Sequence, residues 1–428
     1  MKKKLFIASF CIVLLLIGLI IWRTTASNET WPTEISYGNG FDSFCPYGII
    51  RRDTGGFKRM CDIESSSEVA MCAKPECEHS DDSCFAFVLA HDAGIVTIYN
   101  RKIYYTQDEY SYEAMYNSVS LREASLDGSQ IRTLAVFDRT SYCESFIVTN
   151  GGVVLSMRAY DRALEDLEIG SKNLDKARWY VAFVDIGSGE IWRLPEKTDY
   201  GNYLHGFAYA DGQIYYRYLY LTERGTFNGF TMEMYTEEGK AALASDIGKT
   251  RDTIFVADVK EKTERPLCDE LTDIRAKDNS SPTGMTYTQD RVYLVQHFQS
   301  GQELKADIIG YDLASGQRVQ TLLLDYRGCQ YMACFEEVFM PYYQMGDEEV
   351  TGPQFALNAR TGETISIPWM RDYTALGDNQ LGRDDIYILY PIAPDKMIID
   401  GQANYLWITS EDFWAGNMDK LHSFARRY

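Results

Sequence analysis

From Phe57 onward, short apolar runs alternate with polar turns, and one arrangement recurs along the chain. An apolar strand leads into a turn opened by Asp or Asn, usually with Gly, and a second strand follows. The copies begin at Phe57, Val119, Tyr180, Ile254, Ile308 and Phe355, and their turns open at Asp62, Asp127, Asp185, Asp258, Asp312 and Asn358, 46 to 73 residues apart. A short acidic or amide side chain bonds the backbone two residues on, and Gly supplies the positive φ of a tight hairpin. A second signal lies between several of these turns. Ile103-Tyr-Tyr-Thr, Ile214-Tyr-Tyr-Arg and Val292-Tyr-Leu-Val each follow a polar turn, at Asn100-Arg-Lys, Asp211-Gly-Gln and Gln289-Asp-Arg. One unit therefore reads strand, turn, Tyr-rich strand, loop, strand, Asp-turn, strand. Four antiparallel strands repeated in this way predict the blades of an all-β β-propeller. Six clear turns, with a last unit from Tyr387 to Thr409, give six to eight four-stranded blades, seven being favoured.

Helical periodicity is almost lacking. The stretches 160–177 and 223–249 interrupt the strand pattern and read as polar insertions, loops or short helices on one face of the disc.

The amino terminus departs from this pattern. Met1 and three lysines precede the run Leu5 to Trp22, in which only Ser9 and Gly18 interrupt the apolar residues. As a helix, eighteen residues span about 27 Å, close to the hydrocarbon thickness of a bilayer. Thr24-Thr25-Ala26 offers a signal-peptidase site, but the length of the run, Trp22 and Arg23 favour an uncleaved anchor. Lys2, Lys3 and Lys4 place the amino terminus inside the cell, so the expected layout is a cytoplasmic tail (1–4), a transmembrane signal-anchor (5–22), a linker (23–35) and an extracytoplasmic propeller (36–428). The protein is thus expected in the cell membrane, as a single-pass chain with its carboxy-terminal domain outside.

Composition narrows the function classes. The chain has 428 residues, 45% of them hydrophobic and 14% aromatic, including 31 Tyr and 20 Phe, which excludes a disordered or low-complexity protein. Beyond Arg23 the chain carries 38 of the 42 basic residues against all 62 acidic ones, a net charge of −24. Such a surface repels phosphate, so nucleic acid is excluded as a partner.

Nine cysteines follow the apolar run. Cys72, Cys77, His79 and Cys84 bring three thiols and an imidazole within thirteen residues, with Pro75 to bend the chain. Two readings stand: structural disulfides, favoured for an oxidising exterior, and a Cys3His zinc site. Either staples the entry segment to the first blade, and no other cofactor is expected. The motifs of a zincin protease, a serine hydrolase, a Walker loop and an EF-hand are all lacking. Asp81-Asp82 and Asp384-Asp385 read as solvated loop acids, the tyrosines as packing between blades, and Trp407 to Trp414, with Phe413, as an exposed aromatic patch or, alternatively, a segment that closes the ring.

The stretch from Lys102-Ile-Tyr-Tyr-Thr-Gln to Ser125-Leu-Asp-Gly-Ser-Gln-Ile resembles a YWTD-type blade of lipoprotein-receptor propellers, with Tyr in place of the Trp. Together with the Cys72–Cys84 segment it is also similar to exported, membrane-tethered propeller proteins of Gram-positive bacteria. The resemblance implies a recognition role with no assigned catalysis, and it carries no active-site residues. The expected function is therefore a non-enzymatic recognition or scaffold module for a protein or envelope glycan. The alternative is a propeller glycosidase or lyase with paired carboxylates, and a weaker one is a quinoprotein-like cofactor binder.

Overall fold

The computed structural model describes residues 43–426 apart from internal stretches, the longest being 161–176, 224–240, 270–283, 344–354 and 369–385. The apolar run 5–22 lies outside the described residues. Among the described residues, no helix is long and apolar enough to cross a membrane.

Six successive sheets have four strands each, in simple antiparallel up-and-down order. The first comprises Ala93–Tyr99, Lys102–Ser111, Tyr116–Ser125 and Ile131–Val136. The others occupy 141–193, 202–268, 284–324, 329–366 and 386–423. First strands lie against one another in chain order: Ala93–Tyr99 against Ser141–Val148, and Cys329–Phe335 against both Gly284–Tyr287 and Ile386–Ala393. This is the inner ring of a β-propeller, and the six sheets are its blades.

The expectation of seven four-stranded blades is corrected to six. The remaining sheet breaks the pattern, because its fifth strand comes from the other end of the chain. Ser43–Cys45, Gly48–Arg52, Lys58–Asp62 and Ser67–Ala70 form an antiparallel sheet, and Ala425–Arg426 adds to its edge in parallel. The pairs are Ala425 with Ser67 and Arg426 with Glu68. The unit from Tyr387 to Thr409 does supply the last four-stranded blade, while Ala425–Arg426 beyond it end on the amino-terminal sheet.

The core lies between the blades, where neighbouring sheets press their faces together. Val154, Val181, Phe183, Phe207, Ile214, Tyr216, Tyr218 and Phe255 form one layer between the second and third blades. Ala208, Tyr215, Ile254, Val256, Val292, Leu294, Ile309 and Tyr311 form the next, between the third and fourth. Tyr215 and Tyr216 therefore point to opposite faces of one strand, as the pleat requires, and both are buried. Sheets covered on both sides need apolar residues at consecutive positions, which explains the Ile-Tyr-Tyr runs. The expectation that the tyrosines pack between blades holds for Tyr104, Tyr105, Tyr215, Tyr216, Tyr218, Tyr293 and Tyr311, all buried.

All six Asx turns form. The side chains of Asp62, Asp127, Asp185, Asp258, Asp312 and Asn358 accept backbone N–H bonds from Ser65, Ser129, Ser188, Glu261, Ser315 and Arg360 at 2.6–3.0 Å. Each turn joins the third and fourth strands of its sheet. Several turns also reach the preceding blade. Arg360 spans from the fifth blade to Asp290 of the fourth (2.6 Å) while also holding Glu337 (2.5 Å), and Lys262 of the third blade reaches Glu190 of the second (2.5 Å). Arg132 donates to the Ile186 carbonyl at 3.0 Å.

Gly316 shows why glycine is needed in one of these turns. Its φ is +70°, and a Cβ there would meet the Leu267 carbonyl oxygen of the preceding blade at 2.0 Å. At Gly362 of the fifth blade φ is +75°, but nothing lies within 4 Å. Gly362→Ala should therefore cost about 1 kcal/mol, the left-handed strain alone, and Gly316→Ala more than about 2 kcal/mol, because backbone must move. Denaturant unfolding of both variants checks this; equal losses would contradict the clash.

Arg360 holds the Asp290 carboxyl down at about 2, chiefly by hydrogen bonding. A depressed acid stabilises above its unfolded pKa of about 4, and the contribution fades as pH falls through about 2. Asp290 is half exposed, so the pair is expected to contribute under about 1 kcal/mol. The stability gap between wild type and Asp290→Asn should be open at pH 7 and close toward pH 2; a gap unchanged with pH would contradict the bridge.

Candidate metal centre

The connection from the amino-terminal sheet to the first blade, residues 71–92, carries the Cys/His segment. Its start is fastened to both sheets. The Met71 N–H donates to the Lys58 carbonyl within its own sheet, and the Ala73 N–H to the Leu126 carbonyl of the first blade's hairpin, both at 3.0 Å. A turn then closes with the Cys77 N–H on the Lys74 carbonyl (3.1 Å). His79 follows in the left-handed region at φ 51°, a conformation that costs a non-glycine residue roughly 1 kcal/mol. Asp81 builds the last turn, accepting from the Ser83 N–H (2.9 Å) and hydroxyl (2.6 Å), and its carbonyl accepts from the Cys84 N–H (3.2 Å). Asp81 thus serves as the loop acid the sequence suggests.

Cys84 is the N-cap residue of the helix Phe85–Asp92, whose Phe85, Ala86, Leu89 and Ala90 are buried. That helix was not legible in the sequence. Phe-Ala-Phe-Val-Leu-Ala is apolar throughout, so it shows no amphipathic period. The helix packs with Cys72 and Cys84 into the cluster of Ile50, Phe57, Val96, Ile103 and Tyr105 that joins the amino-terminal sheet to the first blade.

These turns bring the four sequence-predicted donors together. One thiol or imidazole atom from each of Cys72, Cys77, His79 and Cys84 lies within 4.8 Å of all the others. The Nδ1 of His79 is 3.4 Å from the Cys84 Sγ. Cys72 and Cys84 are buried, Cys77 and His79 half-buried. The three cysteines carry thiols not bridged to one another.

The thiols differ electrostatically. The backbone N–H of His79 is the largest influence on Cys77 and lowers its pKa, assisted by the Cys84 and Cys72 thiols and by Lys74. Burial is the largest influence on Cys84 and pushes it up to about 12. Chemically the group can hold a soft divalent ion in a tetrahedron, or lose two thiols to a disulfide.

Of the two readings of Trp407 to Trp414, the exposed patch is corrected. Phe413 is fully buried with Ile408, Met340, Ala356 and Ile367, between the fifth and sixth blades. It belongs to the helix Ser410–Ala415, which Thr409 caps by accepting from the Asp412 N–H. Trp407 stacks on His422 with centroids 4.4 Å apart. The segment closes the last blade rather than presenting an aromatic face. Asp384 and Asp385 lie outside the described residues.

No known family profile matches the chain, and no curated protein matches it either. Neither the YWTD-like nor the Gram-positive resemblance gains support from them, and the propeller fold is what remains of it. Solved structures similar to the chain include an oligogalacturonate lyase from Vibrio parahaemolyticus, at 10% identity over 85% of each chain and a TM-score of 0.46. Others are an oligogalacturonate lyase in complex with manganese, at 8% identity over 84% of each chain and a TM-score of 0.46, and the β-propeller domain of the Trilobed protease from Pyrococcus furiosus. The last is 7% identical, over 78% of this chain and 83% of that one, with a TM-score of 0.42. Those activities belong to those proteins, and likeness at this level assigns none of them here.

In reduced, metal-free protein, Cys77 should alkylate well before Cys84, since it is both more exposed and more acidic. Timed iodoacetamide labelling with peptide mass analysis reads the order; Cys84 reacting first would contradict this electrostatic picture.

Proposed function

We propose that this chain is a membrane-anchored, extracytoplasmic β-propeller that acts as a non-enzymatic recognition or scaffold module for a protein or an envelope glycan. The observation that carries the reading is the inequality of the two ends of the blades. At one end sit the hairpins joining first to second strands and those joining third to fourth, the latter closed by Asx bonds and several tied to neighbouring blades through Arg360, Lys262 and Arg132. At the other end run the connections between second and third strands. Two of these are long: one links Gly152–Tyr160 to Ala177–Asp185, the other Gln213–Leu221 to Thr250–Asp258. A braced frame with variable connections on its opposite end suits recognition, because loop sequence can change without disturbing the packed layers. The tether rests on the apolar run Leu5 to Trp22 behind three lysines, which supports an inside amino terminus and an outside propeller.

Full-length protein in detergent should bind components of an envelope-glycan and surface-protein panel without consuming them. Replacing 224–240 by a short Gly/Ser linker should weaken binding by roughly tenfold or more while leaving thermal unfolding unchanged. Lys262→Ala, at the braced end, should leave affinity unchanged. Turnover of a glycan, abolished by substituting a single carboxylate, would replace this reading with a catalytic one.

A further inference from the structure

We propose that Cys72, Cys77, His79 and Cys84 bind one Zn2+ ion, and that this ion holds the strand Ser67–Ala70 in place to receive the carboxy-terminal strand Ala425–Arg426. The inference concerns how the ring is secured and is independent of what the propeller recognises.

The donor set selects the metal. Three thiols and an imidazole are soft to intermediate ligands, which disfavours magnesium, calcium and manganese and suits tetrahedral zinc. Zn–S bonds of about 2.3 Å place tetrahedral ligand atoms roughly 3.8 Å apart. The donors already lie within 4.8 Å of one another, and His79 Nδ1 and Cys84 Sγ at 3.4 Å. A small contraction completes the shell. A disulfide would use two of the three clustered thiols, strand the third, and give the imidazole nothing to do. The left-handed backbone of His79 turns its ring back onto the thiols, and ligation repays that local strain. Cys77 and His79, half-buried, leave the ion a route in, while Cys72 and Cys84 anchor it in the apolar cluster.

The position of the ligands gives the ion its task. Cys72 lies two residues beyond Ala70, the last residue of the receiving strand. Cys84 starts the helix that packs against the first blade. An ion bridging them pins the end of that strand to the first blade. The strand needs pinning, since among the described residues it receives the carboxy-terminal strand through two residue pairs. Its Glu68 is buried and held by Arg51 at 2.9 Å and Arg59 at 3.7 Å, so a displaced strand would also break a buried charge cluster. One ion therefore secures the joint between the two ends of the polypeptide.

The experiment uses full-length protein purified without chelator. Metal analysis and native mass spectrometry should find one zinc per chain, with affinity reduced about tenfold or more in both Cys77→Ser and His79→Ala. In wild type, chelation should speed hydrogen exchange at 67–70 and 425–426 by roughly tenfold, with restoration on adding Zn2+ and no change in Arg291–Ser300 of the fourth blade. Because the wild type serves as its own control, a variant that fails to fold does not spoil the test. Purified protein lacking zinc, with an intact mass two hydrogens light and a disulfide mapped within Cys72, Cys77 and Cys84, would overturn the metal. Zinc retained in both variants would overturn the ligand assignment. Zinc removed with exchange at 425–426 unaltered would overturn the latch.

Discussion

The third, fourth and fifth blades each carry an apolar layer on both faces, and this double burial is the constraint on which the rest of the architecture depends. A four-stranded sheet with two apolar faces is insoluble alone and must be covered by a neighbour on each side. The layers that do so are built from large side chains such as Tyr293 and Phe339, both fully buried and packed edge to face with centroids 6.0 Å apart. Burying a side chain of this size contributes about 1.5–3 kcal/mol, far more than any single surface ion pair. No blade can therefore be stable by itself, and the two ends of the chain must be joined so that the series of blades is held together.

The polar contacts act on geometry within that frame. The Asx bonds shape the outer hairpins, and bridges such as Arg360 to Asp290 fix how one blade's turns sit against the last strands and turns of its neighbour. Arg217 and Asp252 are the exception in position. They lie fully buried in the third blade, joined by two hydrogen bonds of 2.8 and 2.6 Å. Such a pair offsets its own desolvation at best, and it ties the register of Gln213–Leu221 against Thr250–Asp258 within the blade.

The joint between the two ends is short among the described residues, a parallel pairing of two residues against two. The same sheet collects what reinforcement the chain has there: the Glu68 charge cluster, the helix Phe85–Asp92, and the Cys72–Cys84 segment.

Local features were readable in the amino-acid order because they are local. Each Asx turn needs an Asp or Asn and a backbone N–H a few residues on, so Asp62, Asp127, Asp185, Asp258, Asp312 and Asn358 announce themselves. The Tyr-rich second strands carry their double burial as consecutive large residues, and the four metal donors stand within thirteen positions of one another. What depends on partners distant in sequence was decided only by tertiary structure. The parallel docking of Ala425–Arg426 on Ser67–Ala70 set six four-stranded blades beside a five-stranded sheet, where strand counting had favoured seven blades of four. Phe413 turned inward because the fifth blade offered it an apolar wall, and Phe85–Asp92 became helical because packing, rather than periodicity, holds it. Chain order specifies turns and strand faces through short-range hydrogen bonding and the pleat; which apolar surfaces meet is settled only when residues many tens of positions apart exclude water together.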